Sequence, residues 1–155
     1  MFEQFLPQRV DNTYRGYKLA LWLFGVVVLM KAVQSLSSIF NGYSVATSAD
    51  GIPVDTFTSA GARTVVALFA TLGLSQFMIC LLCALVLVRY RSMVPIMFAL
   101  LLLQHLGGRL IAQFLPIVRT GTPPGFYINL VLITVMIVGF ALSLRSQSNL
   151  RVQEL

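Results

Sequence analysis

Four apolar runs, at about 16–40, 64–88, 92–116 and 126–144, constrain this chain more than any other feature. Each is long enough to cross the hydrocarbon core of a bilayer, which takes about 20 apolar residues in helical form. The first far exceeds the roughly 7–15 residues of a signal-peptide core, so it reads as a retained first span. Hydrophobic residues make up 57% of the chain and charged residues 10%, with a mean hydropathy of +0.85. A soluble domain carries about 25% charged residues, so this chain lacks the polar surface to stay in water. The expected fold is all-α, a polytopic membrane protein built as an antiparallel bundle of four transmembrane helices. A length of 155 residues holds this one membrane domain, 1–155, and leaves no room for a separate soluble catalytic domain.

The connections follow from composition. Residues 1–15 are polar enough to stay outside the membrane core, with Phe2, Phe5 and Leu6 spaced as a short headgroup-layer anchor before Pro7. Residues 41–63 turn to Gly, Ser, Thr, Asp and Pro, and the Asp-Gly-Ile-Pro sequence at 50–53 is a turn signal, so a long loop is expected there. Arg89-Tyr90-Arg91 is a tight basic turn, TGTPPG at 120–125 is a second short loop, and the tail after Leu144 is polar.

Basic residues set the expected orientation. Arg9, Arg15, Lys18, Arg89, Arg91, Arg145 and Arg151 fall on one side, and Arg63 and Arg119 on the other. Positive charge favours the cytoplasmic side, so both termini and the 89–91 turn are expected inside, and the 41–63 loop outside. The expected location is the bacterial inner (plasma) membrane. The net charge of +6 is scattered singly at span ends and forms no aromatic-interleaved patch, which argues against nucleic acid as a partner.

Polar residues inside the spans are the candidate site. Lys31, Gln34, Ser35 and Ser38 share a face of the first span; Gln104, the only histidine His105, and Arg109 lie in the third; Gln76 lies in the second and Asn129 in the fourth. With the expected topology all sit between the bilayer centre and the outer surface. Charged and imidazole groups at that depth are costly. One explanation is that Lys31 and Arg109 snorkel outward while the glutamines join helices as hydrogen-bonding glue. The other is an outward-facing cationic pocket lined by Lys31, Gln34, Gln76, Gln104, His105 and Arg109. No Asp or Glu lies in any span, so its counter-charge must come from Asp50 or Asp55 of the loop, or from an anionic ligand such as a lipid headgroup. A metal site would want further His, Cys or carboxylate ligands, so no metal or cofactor is expected.

Cys80-Leu-Leu-Cys83 is formally a C-x-x-C pair, the basis of a redox alternative. The quinone-coupled disulfide-forming proteins and the vitamin K epoxide reductases pass electrons through a second cysteine pair, which this chain lacks. Gly73, Gln76, Cys80 and Cys83 line up as a small-residue helix face suited to close packing. No serine sits in a nucleophile motif, and Gly107-Gly108 lacks the flanking features of a phosphate loop, so no catalytic residue is assigned.

The stretches YRGYKLALWLFG, ADGIPVD, LVRYRSMVP and TGTPPG, in a one-span, loop, hairpin, fourth-span arrangement, resemble four-helix bacterial inner-membrane proteins of the DoxX-like type. That resemblance implies association with redox or quinone-linked membrane assemblies. The residues themselves point to a non-enzymatic binding or accessory protein for an anionic lipid-like or small amphipathic ligand. A membrane-protein partner or homo-oligomer, a redox-enzyme subunit, and a purely structural assembly factor are the alternatives.

Overall fold

The structure is a computed structural model that describes residues 11–14, 16–116, 118–119 and 121–145. The expected Phe2, Phe5 and Leu6 anchor and the polar tail lie outside the described residues. Four long helices account for the apolar runs: α1 (Lys18–Phe40), α2 (Ser59–Arg89), α3 (Val94–Phe114) and α4 (Pro124–Leu144). All four are long and apolar enough to cross a membrane, and no strand pairs with another among the described residues. The chain is an all-α, multi-pass membrane protein.

Helix ends follow local chemistry. The second span was expected to begin near 64, but α2 starts at Ser59 because the Thr58 side chain accepts a hydrogen bond from the Gly61 N–H at 3.2 Å. Its 31 residues extend about 46 Å, beyond a hydrocarbon core of about 30 Å. Pro95 and Pro124 sit in the first turns of α3 and α4, where a missing N–H costs nothing.

The 41–63 segment is more ordered than a plain loop. It forms a helical turn at Gly42–Ser44, a π-helical turn at Val45–Ala49 and a 3-10 turn at Val54–Thr56. Gly51 takes φ +69°, the left-handed backbone expected of the Asp-Gly turn. That reversal folds Ala46, Ile52 and Val54 into a small cluster with Ala62, Val65 and Phe69 of α2. At the opposite end of the bundle Asp11 and Ser92 are joined by Ser92 Oγ to the Asp11 carbonyl at 2.9 Å and the Asp11 N–H to Ser92 Oγ at 3.1 Å.

Packing is unequal along the bundle. Helix α1 is central, lying against α2 and α4, while α3 packs chiefly on α4. The main core combines Phe24, Val27 and Val28 with Cys80, Cys83 and Val86, Val94 to Leu102 of α3, and Leu132, Ile133 and Met136. Apart from Leu132 and Ile133, midway along α4, these lie toward the 89–93 turn. There Phe24 and Phe98 meet edge to face at 5.0 Å, and Gly139 lets the Phe98 ring close on α4. Toward the loop end α1 and α2 stay in contact, because Gly73 faces Ser35 and Ser38 with no room for a Cβ. Helix α3 does not follow: beyond Leu102 none of its residues is buried.

Candidate functional site

The divergence of α3 opens a cavity of about 580 Å³ at the loop end of the bundle. Its floor is Lys31 of α1; Gln76 of α2, the Gln104 to Gln113 face of α3, and Phe126 and Asn129 of α4 form its walls, and Asp50, Pro116 and Arg119 reach it from the loops. Lys31 and His105 meet here because each lies nine residues before the loop end of its helix, Phe40 and Phe114. Nine residues of helix rise is about 13 Å, so the two side chains share a depth.

Lys31 is 6% exposed, and its Nζ is 2.9 Å from His105 Nδ1. An ammonium can only donate, so a charged Lys31 requires Nδ1 as acceptor and places the ring proton on Nε2. Asn129 also hydrogen-bonds the imidazole through its side chain. Neither partner is a carboxylate, and Lys31 has no ion pair among the described residues. A lysine at membrane depth costs about 2.5–3.5 kcal/mol on insertion scales, and a neutral imidazole offsets only part of that.

Arg109 does not extend freely to the surface. Its guanidinium lies over the Phe126 ring, 5.1 Å from the centroid, a cation–π contact that ties α3 to α4 above His105. Gln76, Gln104, Gln113 and Asn129 add amide groups to the same cavity. Among the described residues, no three His, Cys, Asp or Glu side chains cluster as a metal site.

The two loop carboxylates separate. Asp50 lines the cavity, its Oδ1 close over the first turn of α4 at Gly125, where the positive end of the helix dipole favours a carboxylate. Burial pushes the Asp50 carboxyl above the usual carboxylate range, and the Arg119 guanidinium opposes that shift. Asp55 instead accepts a 2.5 Å hydrogen bond from Tyr43 Oη on the exposed face of the loop. It does not line the cavity.

Of the six candidate residues, Lys31, Gln76, Gln104, His105 and Arg109 come together. Gln34 does not. It sits partly buried three residues past Lys31 without lining the cavity, and its carbonyl accepts from Ser38 Oγ at 3.1 Å. Gln113 and Pro116 were missed, although they continue the 105, 109, 112/113 and 116 face at helical spacing. Phe126 and Arg119 carried no such signal, because they lie on other parts of the chain and only the packing of α4 against α3 brings them to the cavity. Cys80 and Cys83 are free thiols buried in the main core, outside the cavity; the Gln76 amide reaches Cys80 Sγ at 3.8 Å. Gly107 and Gly108 have nothing within 4 Å of where a Cβ would stand, so they mark an open helix face and not a close packing contact.

Comparison with protein-family models, curated proteins and solved structures gives no match for this chain.

Proposed function

We propose that this protein is a non-enzymatic binding or accessory protein of the bacterial inner membrane, whose outward-facing cationic cavity holds an anionic lipid-like or small amphipathic ligand. Both termini and the 89–93 turn lie in the cytoplasm in this reading, following the bias of Lys and Arg toward that end. The observation that carries it is Lys31: a buried amine facing a polar cavity at membrane depth, hydrogen-bonded to a histidine and paired with no carboxylate among the described residues. Interhelical glue would need only a matched donor and acceptor. Lys31 with Arg109 and Arg119 around about 580 Å³ of space leaves a surplus of positive charge that a bound anion would satisfy.

Native mass spectrometry of the protein extracted in mild detergent tests this. An anionic molecule should co-purify with the wild-type chain and be lost from a folded Lys31→Leu variant. A Lys31→Leu protein that is more stable and retains the same bound species would reduce the site to glue.

A further inference from the structure

The charge balance of the cavity goes further than its sign. Among the described residues Lys31, Arg109 and Arg119 face it against Asp50, so three cations and one carboxylate leave two formal positive charges there. His105 adds none while its Nδ1 accepts from the Lys31 amine. In a site walled by apolar helices a residual charge is poorly screened, so the best occupant is the one that neutralises it. A zwitterionic headgroup leaves both charges unmet, and a phosphodiester or carboxylate leaves one. A phosphate monoester, with a second ionisation near pH 6, carries about −1.5 to −2 charges at neutral pH. The donors suit the same group. Arg109, held over the Phe126 ring, presents a planar fork of N–H donors to phosphate oxygens, while the Lys31 amine supplies a point charge from below.

An open side accompanies this charge. Helices α2 and α3 touch each other little, and no residue of α3 beyond Leu102 is fully buried. With Gly107 and Gly108 facing free space, an alkyl chain attached to the headgroup has a path between these helices into the lipid. We infer that the cavity is a site for a dianionic phosphate monoester, with Lys31 and Arg109 as its direct ligands and Arg119 completing the charge match. This rests on the anion-binding reading above and narrows it to one ligand charge.

Binding to the full chain in nanodiscs tests it, using phosphatidic acid, phosphatidylglycerol and phosphatidylcholine as probes in otherwise identical bilayers. At pH 7.5 phosphatidic acid should bind about tenfold more tightly than phosphatidylglycerol, the effect of one additional charge near the cationic groups. The ratio should fall toward one at pH 5, where the monoester loses its second charge. Lys31, Asp50, His105, Arg109 and Arg119 also face the ligand, and their own titration acts on both lipids, so the ratio isolates the phosphate. Arg119→Gln, an exposed loop change that leaves the helices intact, should cut the pH 7.5 ratio about threefold or more. Equal binding of the two anionic lipids at pH 7.5, or a ratio unmoved by Arg119→Gln, overturns the dianion proposal and leaves the anionic pocket standing. No preference for either anionic lipid over phosphatidylcholine overturns both. Glycerol 3-phosphate that displaces bound phosphatidic acid would assign recognition to the phosphate alone, and failure to displace it would assign it to the lipid-borne group.

Discussion

Lys31 Nζ and His105 Nδ1 lie 2.9 Å apart across 74 residues of sequence, joining the middle of α1 to the half of α3 that has left the core. This contact holds α3 to the bundle where apolar packing has ended. It also orients the amine that forms the cavity floor.

Removing the acceptor should therefore be more damaging than shortening it. His105→Leu leaves the Lys31 amine without its imidazole partner and should destabilise the protein by about 1–3 kcal/mol. His105→Gln, which keeps a carbonyl acceptor, should recover at least half of that. Thermal unfolding in detergent, followed by far-UV circular dichroism, distinguishes them; equal stability of the two variants would show that the hydrogen bond contributes nothing.

Lys31→Met should separate stability from binding. It removes a buried amine while keeping an unbranched apolar stem, so the unliganded protein should gain about 1 kcal/mol or more. Added anionic lipid should then raise its unfolding temperature far less than it raises that of wild type. A loss of stability without ligand would contradict the cost assigned to the buried charge.

Asp50 gives a pH signature. Its carboxyl titrates above the usual range when folded, chiefly because it is buried, so the folded state binds this proton more tightly than the unfolded chain. That contribution favours folding fully below the unfolded value near 3.9 and is lost as pH rises through the higher folded value. Asp50→Asn should consequently stabilise the protein at pH 7, with the gain shrinking toward pH 4. At pH 7 it should also tighten anionic lipid binding about threefold by removing the Asp50 carboxylate from the cavity. Parallel unfolding curves for both proteins across that range would refute the burial argument.

Close helix contacts should tolerate no added methyl. A Cβ at Gly73 would stand 2.8 Å from Ser38 Cβ and 2.9 Å from the Ser35 carbonyl oxygen, neither of which can rotate away. Gly73→Ala should cost about 1–3 kcal/mol, whereas Gly107→Ala, with open space around it, should be neutral or slightly stabilising through helix propensity. Unfolding midpoints in the same detergent check the contrast, which fails if the two variants behave alike.

Cys80→Ala addresses the thiol pair. Both thiols are reduced and packed in the core, so the variant should lose about 1 kcal/mol of stability and keep its lipid preference unchanged. Loss of binding without loss of fold would bring the cysteines back into the site.

Much of this arrangement was legible in advance. Apolar runs of about 20 residues dictate helices and their number, because a span must satisfy its backbone hydrogen bonds within itself. Helical spacing put His105 and Arg109 on one face, and common depth brought Lys31, Gln76 and Gln104 into the same company. The choice of Asp50 over Asp55 was not legible. Both are loop aspartates of equal chemistry, and only the turn at Gly51 and the packing of Ile52 and Val54 on α2 send Asp50 toward α4 while Asp55 stays with Tyr43.

Gln34 marks the same boundary. It shares a helical face with Lys31 by spacing, yet it does not line the cavity, and Ser35 and Ser38 beside it meet α2 at Gly73. Period and composition determine which residues can reach a membrane interior, since those depend on the backbone repeat and the solvent alone. Which of them meet is decided by where the helices part. That point, just past Leu102, is set by large side chains on four helices that fill the core and leave the loop end of α3 held only by polar and cation–π contacts.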